Sequence, residues 1–315
     1  MRLTEMMYDI FDGHCDTLYE LIGNCNEENI IKNKLHFNLY NTNNYNKYIQ
    51  LTALWANPAH SGKESKIFMD SLVKKAVKHL DDYNVDIIKS KEDLGKTGKY
   101  SVILGIEGAD AIENEEEIEY YFDKGVRCVT LTWNGVNAIG RGALSDSENG
   151  LTDFGKNAIK KFNELGMAVD LSHLNEKGYY DALEVSEKPV IVSHSNAYSV
   201  CPHKRNLTDS QFAELIKNGG VCGINFARDF LRGDGKTATI DDIVSHIEHF
   251  CSLGGERHIG LGSDFDGIPN LPEKISSNKD MYLIPEALLK LNYSEEQIKN
   301  ITFNNFYRTF YEILG

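Results

Sequence analysis

Short runs of apolar residues recur along the chain and alternate with segments of helical periodicity. The runs are rich in Val, Ile and Leu and are bounded by Gly, Asn or Pro, which is typical of buried parallel strands. Eight of them occur, at residues 8–14, 49–56, 100–108, 126–134, 167–173, 189–195, 221–227 and 258–267. Because eight βα units close a barrel, the pattern predicts an α/β fold, a (β/α)8 TIM barrel.

The segments between the runs predict amphipathic helices. One apolar stripe, with lysines on the other side of the helix, consists of Leu72, Val73, Ala76, Val77 and Leu80. This periodicity needs no functional explanation, and it supports the alternation of strands and helices.

Helix ends are marked by capping residues. Thr152 and Thr208 are predicted N-caps, and Gly166 and Gly219 are predicted stops. Near the end of the chain, Ser294 opens an S-x-x-Q capping box.

The core stripe of residues 240–250, made of Ile243, Ile247 and Phe250, leaves His246 and His249 off its apolar face. We expect both side chains to be solvated and neither to bind a metal.

We expect one metal-dependent hydrolase barrel domain over residues 1–315, because no repeat or linker divides the chain. An Asn-rich insertion at 24–48 interrupts the alternation, and we expect it to be ordered near the site. Residues 283–315 are predicted to form closing helices.

Charge and cysteine content narrow the function classes. Lys plus Arg total 33 against 47 Asp plus Glu, and the net charge of -14 argues against nucleic acid or anionic membranes as partners. The six cysteines form no C-x-x-C pair, and the N-terminus has acidic residues where a signal peptide needs an apolar core. These features predict a soluble cytoplasmic protein.

Polar residues at the ends of the predicted strands form a candidate metal site. His14 and Asp16 end the first strand at i and i+2 and so point the same way. Glu107 ends the third, and His173 and His194 end the fifth and sixth. Strand ends meet at one mouth of a barrel. This set of N and O donors suits zinc, and it does not exclude Mn, Fe or Co.

The eighth strand adds carboxylates to this list. Asp264, followed by Asp266 on the same face, could take a proton from a water beside a metal. Taken singly, each of these residues has an ordinary explanation as a capping or hydrogen-bonding group. Their coincidence at one end of five strands favours a metal site.

Six motifs resemble the renal or membrane dipeptidase family of zinc peptidases, within the metal-dependent amidohydrolase superfamily. In the family's order they are DGHCDT, ILGIEGADAI, VTLTWN, DLSH, PVIVSHSNAYSVCPHKRN and GLGSDFDG, and they span nearly the whole chain. The resemblance implies a binuclear zinc dipeptidase that cleaves the peptide bond of small dipeptides.

The resemblance also implies roles for the ligands. His14 and Asp16 would hold one zinc ion, His173 and His194 the other, and Glu107 would bridge both together with a catalytic hydroxide.

Further residues are expected to act on the substrate. By the same resemblance, Asp264 would handle the proton, and Arg205 would grip the carboxylate of the substrate's C-terminal residue. Where the animal enzymes have a histidine thought to polarise the substrate carbonyl, this chain has Trp133, followed by Asn134. An indole N–H donates only one hydrogen bond, so we expect the departure to change the rate and the preferred substrate more than the reaction type. Phe230 stands near a position where animal members have tyrosine.

Two alternatives stay open. One is another amidohydrolase, a lactonase or a deaminase, although the H-x-D of strand one departs from the H-x-H expected of a deaminase. The other is a barrel that binds metal or peptide without catalysis, motivated by Trp133. Whether the protein is a homodimer is also open.

Overall fold

A computed structural model describes residues 7–24 and 29–315 of the chain. Within these residues, eight parallel strands pair in sequence order and close into a barrel. Each strand lies within, or overlaps, one of the eight predicted runs, so the predicted (β/α)8 fold is confirmed. The strands are β1 (Asp9–Cys15), β2 (Lys47–Trp55), β3 (Tyr100–Glu107), β4 (Val126–Thr130), β5 (Ala168–Asp170), β6 (Ile191–Ser195), β7 (Val221–Ile224) and β8 (Ile259–Leu261).

Helices follow the strands on the outside of the barrel, in the alternation that the sequence predicts. They are α1 (Thr17–Asn24), α2 (Lys63–Asp82), α3 (Lys91–Lys96), α4 (Glu115–Asp123), α5 (Asp153–Leu165), α6 (Glu176–Val185), α7 (Asp209–Asn218), α8 (Arg228–Leu231), α9 (Ile240–Ser252), α10 (Leu283–Lys290), α11 (Glu295–Lys299) and α12 (Asn305–Ile313). A π-helical turn, Asn300–Asn304, joins α11 to α12. None of the helices among the described residues is long and apolar enough to cross a membrane.

The predicted caps are confirmed. The Thr152 side chain accepts a hydrogen bond from Gly155 N at the start of α5, and Gly166 ends that helix with φ 73°. Thr208 forms a capping box at α7, which ends at Gly219 with φ 82°. Ser294 forms the predicted capping box of α11.

Several strands are shorter than predicted at the site end. The runs 126–134, 167–173 and 258–267 leave the sheet at Thr130, Asp170 and Leu261. Their polar tails lie in turns, in which His173 and Asp264 have φ of 68° and 60°. A left-handed backbone cannot continue a strand, so these side chains reach the site from turns.

Aromatic side chains of α12 fill the opposite end of the barrel. The Phe11 ring of β1 stacks on Phe306 and Phe310, with 5.3 Å between ring centroids in both pairs. A Cβ on Gly260 would come within 2.5 Å of the Phe306 ring, so that strand position has to lack a side chain. The site is therefore confined to the other mouth.

Irregular strand pairing turns the site residues inward. The pairing of β1 with β2 shifts register between Asp12 and Cys15, and that of β6 with β7 shifts between Val192 and Ser195. Phe11 packs in the apolar cluster that strand residues form with α12, whereas Cys15 packs in the cluster between the barrel and the other helices. A strict two-residue alternation would place Phe11 and Cys15 on the same side of the sheet and His14 on the other side. Because of the register shift, His14 faces the mouth instead.

The described part of the Asn-rich segment is anchored to the loops after β8. Asn278 accepts a hydrogen bond from Asn41 Nδ2 (3.1 Å) on its side chain and one from Tyr45 Oη (2.7 Å) on its backbone oxygen. His36 N donates to Asp266 Oδ1 (2.8 Å), and His36 Nδ1 accepts from Asp266 N (3.0 Å). Residues 25–28 of the predicted insertion lie outside the described residues, and its last two residues belong to β2.

The expectation that His246 is solvated is wrong. Its side chain is fully buried, accepts a hydrogen bond from Ala197 N at Nδ1 (3.0 Å) and donates from Nε2 to Leu231 O (3.1 Å). The loop after β6 and the short helix α8 cover this face of α9, which periodicity alone does not reveal. Burial lowers the pKa of His246 to about 4. His249 is only half-buried and pairs with Asp209 (2.8 Å).

Candidate metal centre

Six predicted site residues meet at the C-terminal mouth of the barrel, and all six are buried. His14 and His194 lie on β1 and β6, and Glu107 is the last residue of β3. The other three follow strands: Asp16 comes directly after β1, and His173 and Asp264 lie in the turns after β5 and β8.

One carboxylate oxygen stands at the centre of the group. Glu107 Oε1 lies 3.0 Å from His173 Nε2, 3.6 Å from His194 Nε2 and 3.8 Å from His14 Nε2. The two imidazole atoms His173 Nε2 and His194 Nε2 are themselves 3.0 Å apart. The same atom type of three histidines therefore converges on a single acidic oxygen.

His14 also faces two further carboxylates. Its Nε2 is 3.4 Å from Asp16 Oδ2 and 4.0 Å from Asp264 Oδ1, and it has no hydrogen-bond partner among the described residues. Two triads have ligand atoms within 4.8 Å of one another, and His14 is common to both: His14, Glu107 and His194, and His14, Asp16 and Asp264.

Hydrogen bonding leaves lone pairs facing the centre. The amide oxygen Asn134 Oδ1 lies 2.9 Å from His173 Nδ1. An amide oxygen only accepts, so the proton of this imidazole is on Nδ1 and its Nε2 lone pair faces Glu107. Buried lone pairs and carboxylates that converge on one point favour a bound cation. The donor set fits one or more divalent ions bound through nitrogen and oxygen.

Without a cation, the site redistributes protons. Burial alone would lower the pKa of His14, but the negative charges of Glu107, Asp16 and Asp264 outweigh it and raise that pKa to about 10. Burial, together with the neighbouring Asp16, raises the pKa of the Glu107 and Asp264 carboxyls. The site therefore holds protons where a cation would place positive charge.

The pKa values of the other two histidines change in the opposite direction. Burial lowers the pKa of His173 and His194 well below the usual range, and the positive charges of Arg205 and His14 add to the effect. Both imidazoles are thus kept neutral, which is the form that binds metals.

A cavity of about 330 Å³ opens above this cluster. Site residues Asp16, Glu107, His173 and Asp264 line it together with apolar and aromatic side chains, which include Tyr19, Trp55, Trp133, Phe230 and Ile268. Trp55 contacts both Trp133 and Tyr19 edge to face, with ring centroids 5.1 and 5.7 Å apart. The cavity therefore combines a charged cluster with an aromatic surface.

The three residues expected to contact substrate have different positions. Trp133 and Asn134 line the cavity, and Asn134 also holds His173. Arg205 is buried and is not among the described residues that line the cavity. Its guanidinium lies 5.6 Å from the ring centroid of Phe230, and Phe230 lines the cavity. Its Nε has no partner among the described residues, and burial lowers its pKa to about 10.

Other residues of the site were missed at the sequence level. Asn225, directly after β7, donates from Nδ2 to Asp264 Oδ2 (2.9 Å). Asp170 and Ser193 form a hydrogen-bond network that reaches His194. The positions of Asn225 and Asp170 at strand ends were the available signal, because the other site residues occupy equivalent positions. Asp266, predicted beside Asp264, accepts hydrogen bonds from Thr17 and from His36 N.

Comparison with known proteins gives a consistent result. The sequence profile of the membrane dipeptidase family, peptidase family M19, matches residues 2–314. An uncharacterised dipeptidase of Schizosaccharomyces pombe is 40% identical over 220 residues, which are 67% of this chain and 52% of that protein. The chain thus matches about half the length of this yeast relative.

Solved structures agree with the sequence comparison. A metallopeptidase of Rhodobacter sphaeroides, liganded with a phosphinate mimic of the dipeptide L-Ala-D-Ala, has a TM-score of 0.88 and 25% identity, covering 98% of this chain and 100% of that one. Dipeptidase AC, a metallopeptidase of family M19, has a TM-score of 0.89 and 26% identity over the same shares. The chain belongs to the membrane dipeptidase family, peptidase family M19.

Proposed function

We propose that the protein is a zinc-dependent dipeptidase that hydrolyses the peptide bond of small dipeptides at two zinc ions. The observation that carries the proposal is the convergence of three imidazole Nε2 atoms on Glu107 Oε1, each within 4 Å. His14, Asp16, His173 and His194 would hold the ions together with Glu107. Two zinc ions, when bound, would lower the pKa of a water enough to supply a hydroxide nucleophile near neutral pH.

Asp264 is the residue that we propose moves the proton to the leaving amine. Asn225 Nδ2 holds its Oδ2 at 2.9 Å, so Oδ1, 4.0 Å from His14 Nε2, is the oxygen on the side of the cluster. Burial raises the pKa of Asp264, which brings this carboxyl closer to the range in which it both takes up and returns a proton.

Arg205 supplies positive charge for the free carboxylate of a dipeptide. Its Nε, which has no partner among the described residues, and its position beside Phe230, which lines the cavity, support this role. Trp133 and Asn134 would line the substrate's path, and the indole N–H of Trp133 would offer one donor to the substrate carbonyl.

The substrate class follows from the size and ends of the site. A cavity of about 330 Å³ suits a dipeptide, and a buried cation favours a ligand whose carboxylate is close to the scissile bond. The L-Ala-D-Ala mimic in the Rhodobacter sphaeroides relative supports including L-D as well as L-L dipeptides among the candidates.

Dipeptide turnover by zinc-loaded protein tests the proposal. We expect zinc-loaded wild type to cleave members of an L-L and L-D panel, and a chelator to abolish cleavage. Asp264→Asn should keep its zinc and lose about 100-fold or more in kcat, because general acid–base catalysis contributes about 10²–10⁴-fold.

Two outcomes would contradict the proposal. Zinc-loaded wild type that leaves the whole panel uncut, together with no effect of Asp264→Asn, would rule out a dipeptidase. Two bound zinc ions with no turnover of any amide would identify a metal-binding barrel without catalysis.

A further inference from the structure

A fully buried hydrogen-bond network lies next to the histidines of the metal centre. It is built on Asp170, the last residue of β5, and on Ser193 of β6, both with 0% exposure. Neither contributes an atom to the two triads of candidate ligands. A buried carboxylate without a role in ligation calls for a physical account.

The Asp170 carboxylate accepts four hydrogen bonds. Its Oδ1 accepts from Ser172 N (3.0 Å) and from Ser193 N (2.9 Å). Its Oδ2 accepts from Thr130 Oγ1 (2.6 Å) and from Ser193 Oγ (2.7 Å). A carboxylate offers about four lone-pair positions, so all are filled and the Ser193 hydroxyl has to act as a donor to Asp170.

This donation fixes the direction of the next hydrogen bond. Ser193 Oγ lies 2.7 Å from His194 Nδ1. Because the serine proton is committed to Asp170, the oxygen accepts from His194 Nδ1–H, and His194 carries its lone pair on Nε2. That atom faces Glu107 Oε1 at 3.6 Å.

The same hydroxyl reaches the other half of the site. His14 Nδ1 is 3.4 Å from Ser193 Oγ, and Ser172 Oγ, 3.2 Å away, competes for the remaining lone pair. Ser193 thus contacts one histidine from each of the two expected zinc positions.

We propose that Asp170 and Ser193 are positioning residues of the metal centre, which hold His194, and more weakly His14, with Nε2 directed at the zinc position. The inference rests on the proposed zinc site and adds two residues to it. Such outer partners of ligating histidines typically change metal affinity by about 10- to 100-fold when they are mutated.

Asp170→Asn is the most direct test, because it keeps the volume and reverses the two hydrogen bonds at Oδ2, from Thr130 Oγ1 and from Ser193 Oγ. The amide oxygen can still accept from Ser172 N and Ser193 N, which leaves the amide N–H2 facing Thr130 Oγ1 and Ser193 Oγ. Ser193 then accepts from the amide and donates to His194 Nδ1, which places the imidazole proton on Nε2, where zinc should bind.

The measurements are zinc affinity by chelator competition, melting temperature of the metal-free protein, and ¹⁵N-histidine spectra of the zinc-loaded protein. We expect Asp170→Asn to bind zinc about 10- to 100-fold more weakly, with a metal-free melting temperature close to that of wild type. Wild type should show His194 protonated at Nδ1, and the variant should lose that signature.

Ser193→Ala provides a second variant, which removes the acceptor for His194 and should weaken zinc binding in the same range. It decides the question if Asp170→Asn fails to fold. Asp181→Asn is the matched control: Asp181 is a buried carboxylate that accepts from Leu151 N (3.1 Å) and pairs with Lys177, and we expect it to leave zinc affinity unchanged.

Wild-type zinc affinity in both variants would overturn this inference and leave the proposed function standing. A wild-type spectrum without a proton on His194 Nδ1 would also overturn the inference. Wild-type protein that binds no zinc would instead remove the proposed function, and the inference with it.

Discussion

Single residues at the mouth of the barrel orient the ionisable groups of the candidate site. Asn134 lines the cavity and fixes the protonated nitrogen of His173, and Asn225 holds one oxygen of Asp264. These amides have no net charge, so they direct ionisable side chains without adding to the electrostatic repulsion among the three carboxylates. The geometry of the site therefore depends on neutral residues that a search for ligands overlooks.

Asn225→Asp should slow turnover without removing zinc. The substitution keeps an acceptor for Ala227 N but replaces the donor to Asp264 Oδ2 with a second carboxylate oxygen. A hydrogen bond to a charged group is worth about 1.5–3 kcal/mol, so we expect kcat to fall roughly 10- to 100-fold. The measurement is dipeptide turnover at matched zinc content, and an unchanged kcat would show that Asn225 does not orient Asp264.

At the scale of elements, irregular strand ends bring the site together. Register shifts in β1 and β6 turn His14 and His194 inward, and the left-handed backbone at His173 and Asp264 carries two more groups over the mouth. A left-handed backbone conformation is unfavourable for residues other than glycine, and it persists where the surrounding structure fixes it.

The element α9 makes stability depend on pH through His246. Its pKa is lowered to about 4 in the folded protein by burial, against about 6.5 for an unfolded histidine. The unfolded chain therefore binds more protons between these values, so the neutral His246 contributes fully above pH 6.5 and its contribution is lost as pH falls toward 4. The full change is about 3 kcal/mol.

We expect the free energy of unfolding of His246→Gln to fall less than that of wild type between pH 6.5 and 4. A glutamine can still accept from Ala197 N and donate to Leu231 O, which limits the structural change. Denaturant unfolding of both proteins across this range measures the difference. Parallel curves for the two proteins would contradict the assigned burial effect.

The elements could be predicted largely from sequence, because their signals are local. Apolar runs gave the eight strands, and Thr152, Thr208 and Ser294 marked helix starts through contacts within three residues. The convergence of the candidate ligands could be predicted because a barrel brings strand ends together whatever the loops do. The burial of His246 could not, since it depends on the distant Ala197 and Leu231.

The hydrogen bonds between residues inside the site could not be predicted from the sequence either, because they too join residues that are distant in sequence. Asp170, in the motif DLSH, looks like any polar residue at a strand end, and only the folded chain brings Ser193 Oγ within 2.7 Å of it. Arg205 was expected at the substrate, and its burial beside Phe230 follows from packing that no local pattern encodes.

At the scale of the whole molecule, the two ends of the barrel differ in composition. Aromatic residues of α12 close one end around Phe11, and buried carboxylates and imidazoles occupy the other. The net charge of -14 and the acidic cluster both favour a cationic occupant at the open mouth.

Anomalous diffraction at the zinc edge from crystals of zinc-loaded protein tests the central claim most directly. We expect two peaks at the mouth of the barrel, both within bonding distance of Glu107, with His14 and Asp16 beside one and His173 and His194 beside the other. Zinc peaks confined to other histidines, or the absence of any peak next to Glu107, would contradict the account.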